Sequence, residues 1–135
     1  MTINQFIRFS FEEFHRDGFE IFVICDMNDE FINSLPDYVT PLPVKMDRGI
    51  NFKDVFRAIS QMYSVFKREK FDIVQYSTPN ASFYASIASW LARVPIRLYC
   101  QWGLVFQSFS GIKQLVFKTI ERLVCILSTD IQPDS

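Results

Sequence analysis

Histidine is almost missing from this sequence, which has one, and glycine is scarce, with four in 135 residues. A lone histidine leaves no His pair for a metal, and there is no Cys/His spacing that would activate a thiol nucleophile. The glycine loops GxGxxG and GxxxxGK[ST], which cradle phosphates in dinucleotide and P-loop folds, are absent, as is the GxSxG of serine hydrolases. The cysteines Cys25, Cys100 and Cys125 are odd in number, far apart and free of CxxC spacing. That excludes a disulfide framework and a zinc site, and predicts small buried thiols in a reducing compartment. Neither sign of charge dominates: 14 Lys and Arg are interspersed with 15 Asp and Glu, for a net charge of −1. A nucleic acid partner needs a basic footprint that this chain lacks. No run approaches the ~18 unbroken apolar residues of a membrane span. No basic flank, apolar stretch and cleavage site open the chain, so the expected location is cytoplasmic.

Apolar and aromatic residues are abundant instead. Residues of the hydrophobic types make up 49% of the chain, enough for one domain with its own core. Seven of the fifteen phenylalanines fall within the first 31 residues. This exceeds what one small core uses, so some rings are expected at an interface.

Periodicity predicts a helix over 2–17, with Ile3, Ile7, Ser10 and Phe14 on one stripe, Phe6 beside it and Gly18 as its stop. Strand 20–25 (EIFVIC) lacks polar alternation after its first residue, the pattern of a strand buried on both faces. A short helix over 29–35 ends before Pro36, and 39–44 (VTPLPV) reads as a strand confined to a sheet edge by its two prolines. Asn51 opens the clearest helix, with Asp54 in a box-like cap and Phe52, Val55, Phe56, Ile59, Met62, Tyr63 and Phe66 on one face. Strand 72–76 follows, then a turn at 77–80 and a helix over 81–93 that is apolar almost all round and expected to be buried. Strand 97–101, a loop over 102–111, a helix over 112–127 with a stripe from Ile112 to Leu127, and a strand from Asp130 complete the chain.

Regular alternation of this kind specifies an α/β fold, a Rossmann-like parallel sheet with helices on both faces and right-handed crossovers. A doubly wound sheet begins with a strand that ends up central, whereas this chain begins in a helix. Either the strands flanking the central position pair with each other, or a first strand is missing ahead of residue 1. The reading favours the second.

Ligands of open parallel sheets bind beyond the carboxyl ends of the strands. The tetrad Ser77-Thr78-Pro79-Asn80 leads into a helix N-terminus, where backbone N–H groups and hydroxyls can hold a phosphate or a sugar hydroxyl; plain capping by Asn80 is the alternative. Gln101-Trp102-Gly103 offers an indole platform and close backbone approach at the next exit, or else a core tryptophan with a glycine turn. Arg48 could bring a guanidinium to a phosphate or carboxylate, or be simply solvated. His15 lies away from the strand exits, and Asp26 lacks the glycine fingerprint that would make it a ribose ligand.

These same segments carry a resemblance. The stretch KFDIVQYSTPNASFYASIASWLARVPIRLYCQWGL, with Arg48 before the long helix, Asp72 opening its strand, the Thr78-Pro79 turn, Ala92-Arg93-Val94-Pro95, Trp102-Gly103 and Ser128-Thr129-Asp130, resembles the N-terminal domain of family 4 glycosyltransferases of the GT-B fold. Those of bacterial capsule and surface-polysaccharide pathways are most similar, over roughly residues 18–135. The resemblance implies that 1–135 is a single acceptor-side domain, without its first strand and without the C-terminal domain that binds most of the nucleotide sugar. It implies sugar transfer from a nucleotide-sugar donor to a glycan or polyprenyl-diphosphate-linked acceptor at the inner face of the membrane, with no cofactor or essential metal. Arg48, Ser77, Thr78, Asn80, Gln101, Trp102 and Gly103 are then acceptor-binding candidates, and no catalytic residue is assigned. Trp102 stands where many relatives carry a histidine and cannot act as an acid or base. Two other classes remain open at this point: a noncatalytic α/β remnant or interaction module, and a small nucleotide-binding protein, which the missing glycine fingerprint counts against.

Overall fold

The computed structural model describes residues 8–46, 51–101 and 105–133. The chain divides into two compact units, Met1–Lys45 and Met46–Ser135.

The first unit contains helix α1 (Arg8–Arg16), strand β1 (Ile21–Cys25), helix α2 (Asp29–Ser34) and strand β2 (Val39–Pro43). Gly18 stops α1 as expected. Its φ of 92° is available to glycine at little cost, and its N–H closes on the carbonyl of His15. Among the described side chains α1 buries Phe11, not Phe14, which is exposed and meets Phe19 edge-to-face at 5.8 Å. Asn28 caps α2, its side chain accepting from the Phe31 N–H at 2.8 Å. β1 and β2 pair in parallel from Ile21↔Val39 to Cys25↔Pro43. Among the described residues the two prolines of β2 thus sit in a strand with one neighbour, where a missing N–H is tolerated. Phe11, Val23, Phe31 and Val39 form the core. Only Val23 of β1 is fully buried, against the expectation of a strand covered on both faces. The reason is that this sheet has two strands among the described residues.

The second unit contains α3 (Phe52–Glu69), β3 (Ile73–Tyr76), α4 (Pro79–Leu91), β4 (Ile96–Gln101), a 3-10 turn (Val105–Ser108), α5 (Gly111–Leu127) and β5 (Asp130–Pro133). Its three strands form a parallel sheet in the order β3-β4-β5. Every strand pair in both units is parallel and the sheets are flanked by helices, so the α/β class holds.

Three helix readings need correction. On α3 the apolar arc is wider than its contact. Ala58, Met62 and Phe66 are buried, while Phe52 and Phe56 stay 85% and 75% exposed. The cap of α3 is Asn51, accepting from the Lys53 N–H, but Asp54 pairs sideways with Arg57 rather than reaching back to close a box. On α4 the buried face runs through Ser82, Tyr84, Ala85, Ser86, Ala88 and Ser89, and the end at Trp90 and Leu91 is exposed. Ser86 and Ser89 satisfy their hydroxyls on carbonyls of the preceding turn, which lets a serine sit where an alanine would. On α5 only Val124 is fully buried. Ile112, Leu115, Val116 and Leu123 face outward because the helix packs on α4 and β4 through its other side. β5 is exposed along its whole length.

Candidate functional site

In the parallel register Tyr76 lies opposite Tyr99, and Gln101 lies opposite Pro133. The carboxyl ends of β3, β4 and β5 therefore open at one end of the sheet. That end carries Ser77, Thr78 and Asn80 after β3 and Gln101 at the close of β4. Four of the seven site residues expected from sequence are brought together in this way. Arg48, Trp102 and Gly103 lie outside the described residues.

The turn after β3 is built differently from the expectation of capping by Asn80. Thr78 is the N-cap of α4, in extended conformation, and Pro79 occupies the first helical position, where its lack of an N–H costs nothing. Asn80 falls inside the first turn and is exposed. The Thr78 carbonyl closes the helix on the Ser82 N–H at 2.7 Å, but its hydroxyl makes no capping bond. The helix thus begins with a hydroxyl not committed to capping and with N–H groups that lack intrahelical partners. Ser82, one turn in, is 1% exposed, and its Oγ has no hydrogen-bond partner among the described residues.

Alternation along the strands puts Tyr76, Tyr99 and Gln101 on the same sheet face. Glu121 of α5 reaches this face. Its Oε1 accepts from the Tyr99 hydroxyl at 2.6 Å and from Gln101 Nε2 at 2.7 Å. Gln101 is therefore not a freely rotating ligand: its amide nitrogen is spoken for, and its carbonyl oxygen is the atom left to accept. The Tyr76 hydroxyl lies 2.6 Å from Ser128 Oγ, which itself donates to the Val124 carbonyl, so the tyrosine is the donor. The two tyrosine rings are stacked with centroids 6.0 Å apart. Burial raises both phenol pKa values above 10.0. For Tyr99 the bond to and charge of Glu121 raise it further. On the opposite face Cys100 directs its thiol to Gln132 at 3.5 Å, and burial pushes its pKa up.

Sequence reasoning missed Tyr99, Glu121 and Ser128. One signal was available for Glu121: it is an acid among Phe117, Ile120 and Val124 on the inward side of α5. His15, set aside from sequence, stacks on Tyr38 at 4.3 Å and 8° within the first unit. Among the described residues no cluster of His, Cys, Asp and Glu could hold a metal ion, and no helix is long and apolar enough to cross a membrane.

What this site can do is bind. It presents hydroxyls, an amide oxygen and a helix N-terminus at the mouth of a parallel sheet, the set suited to sugar hydroxyls and phosphate oxygens. The family model described as "Glycosyl transferase 4-like" matches residues 3–132. The chain belongs to this family. A Staphylococcus aureus protein named as the capsular polysaccharide biosynthesis glycosyltransferase CapM is 32% identical over 90 residues, which cover 67% of this chain and 23% of that protein. An Escherichia coli protein named as a UDP-Gal:alpha-D-GlcNAc-diphosphoundecaprenol alpha-1,3-galactosyltransferase is 28% identical over 136 residues, covering 91% of this chain and 35% of that protein. The chain thus spans about a quarter to a third of the length of these curated relatives. Both are named as glycosyltransferases.

Proposed function

We propose that these residues form the acceptor-side domain of a glycosyltransferase that moves a sugar from a nucleotide-sugar donor to a lipid-linked glycan in surface-polysaccharide synthesis, working at the membrane that carries the acceptor. One observation carries the assignment: Ser77, Thr78 and Asn80 converge with an anchored Gln101 at the open end of β3-β4-β5, in a chain of this family. In this reading the N-terminus of α4 and the Thr78 hydroxyl take a diphosphate oxygen. The Gln101 carbonyl accepts from a sugar hydroxyl, with Tyr99 and Glu121 fixing its direction. Arg48, Trp102 and Gly103 stay acceptor-binding candidates on the family resemblance alone. The donor is held mainly by a second domain, and no catalytic group is assigned to these residues.

Calorimetry tests the reading. A short-chain GlcNAc-diphosphate-lipid analogue should bind this chain, and Thr78→Val with Gln101→Ala should weaken it by about tenfold, the value of one or two lost hydrogen bonds. UDP-sugars should bind weakly or not at all. Micromolar UDP-sugar binding, or analogue binding indifferent to both substitutions, would overturn it.

A further inference from the structure

Glu121 is a half-buried carboxylate that the fold alone does not call for. Among the described residues it has no ion pair, and both of its partners are neutral: the Tyr99 hydroxyl and the Gln101 amide donate to the same oxygen, Oε1. A neutral amide in its place would also tie α5 to β4. What a carboxylate adds is direction, because in its ionised form it accepts hydrogen bonds and donates none.

Direction matters at Gln101, whose amide carries an oxygen on one side and an NH2 group on the other. A free glutamine exchanges the two by a half-turn about its last side-chain bond. Facing Glu121, the turned amide would set its own oxygen against a carboxylate oxygen across the 2.7 Å now spanned by a hydrogen bond. A hydrogen bond to a charged group favours the observed orientation by on the order of tenfold to a hundredfold in population. The Gln101 oxygen is thereby turned away from Glu121, and no described group donates to it.

We propose that Glu121 determines what the exit of β4 recognises: by locking the Gln101 amide it makes this point an acceptor only, which takes a hydroxyl of the acceptor sugar and turns away a phosphate. The start of α4 has the opposite character, with N–H groups that lack intrahelical partners and a Thr78 hydroxyl not committed to capping. The two places ask for complementary groups, so a sugar diphosphate is oriented with its diphosphate at α4 and a sugar hydroxyl at Gln101. Glu121 acts through Gln101 and is a positioning residue. The inference rests on the acceptor-side reading for its ligand, whereas the lock itself is present without one.

Two measurements keep the lock and the ligand apart. In the ligand-free chain, nuclear magnetic resonance should find one proton of the Gln101 side-chain amide shifted downfield of the other glutamines and slow to exchange with water, and Glu121→Gln should reduce both effects. Calorimetry then compares the short-chain GlcNAc-diphosphate-lipid analogue with versions in which one sugar hydroxyl at a time is replaced by fluorine, which cannot donate. The parent chain should bind one of these about tenfold more weakly than the unmodified analogue. Glu121→Gln, which permits either amide orientation, should reduce that ratio to about threefold or less. Gln101→Glu/Glu121→Gln exchanges the two groups and should restore it, since the carboxylate now at the exit again only accepts. A merely structural role for Glu121 would change the affinity for all analogues alike and leave the ratio where it was. Urea midpoints establish that each variant is folded. A Gln101 amide signal unaffected by Glu121→Gln, a parent chain indifferent to every fluorine, a ratio that Glu121→Gln leaves intact, or a folded exchange variant that does not restore it would overturn the proposal and leave the acceptor-side reading standing. Failure of the parent chain to bind the unmodified analogue would overturn that reading, and this assignment of the ligand with it.

Discussion

Tyr99 on β4 donates its hydroxyl to Glu121 on α5 at 2.6 Å, tying the middle of the three-stranded sheet to the helix that follows it. The same carboxylate oxygen holds Gln101, so one acid anchors both the strand and the polar group at its exit. Removing it leaves the buried Tyr99 and the half-buried Gln101 without their acceptor. Glu121→Ala is expected to cost about 1–3 kcal/mol in urea unfolding. Glu121→Gln, which keeps an acceptor oxygen, should cost less. Equal losses in the two variants would show that volume rather than hydrogen bonding matters at this position.

Ser82 gives the opposite prediction. Its hydroxyl is buried with no partner among the described residues, an uncompensated polar group one turn into α4. Ser82→Ala should leave stability unchanged or raise it by up to about 1 kcal/mol. Tyr76→Phe, which removes the donor to Ser128, should lower it by about 1 kcal/mol. Thermal denaturation of the two variants beside the parent chain checks both signs.

Alkaline pH should unfold this protein by withdrawing protons that the native state retains. Burial, and then the charge of Asp26, pushes the Cys25 thiol from 9.0 up to about 11. Cys100, Cys125, Tyr76 and Tyr99 are all raised, with burial the largest cause in each. Above the unfolded values the unfolded chain binds fewer protons than the folded one, so stability falls as pH rises. For Cys25 the contribution is intact below 9.0 and is lost by about pH 11. Urea midpoints at about pH 7.5, 9 and 10.5 should fall in that order, and Cys25→Ala should flatten the decline. A midpoint that rises over this range would contradict the assignment.

The alternation of helices and strands was legible because each strand is a short apolar run closed by a turn signal. Gly18 was readable as a stop since few other residues take its φ. The faces of α3 and α5 were not. Periodicity marks an apolar arc, but Phe52 and Phe56 satisfy the same period as Met62 and Phe66, and only the width of the neighbouring layer decides which part of the arc is covered. At the site, Ser77, Thr78, Asn80 and Gln101 could be found because strand exits can be found. That Thr78 rather than Asn80 caps α4 follows from Pro79, whose fixed φ suits the first helical position as well as it suits a turn. The bond between Gln101 and Glu121 joins residues twenty positions apart on different elements, a distance over which no local pattern reports.

Backbone amide shifts by nuclear magnetic resonance, followed during titration with a short-chain GlcNAc-diphosphate-lipid analogue and separately with UDP-galactose, test the acceptor-side assignment most directly. The account predicts shifts concentrated at residues 77–82 and at Gln101 with the lipid analogue, and none of comparable size with the nucleotide sugar. Shifts at those residues with UDP-galactose alone, or analogue-induced shifts confined to the first unit, would contradict it.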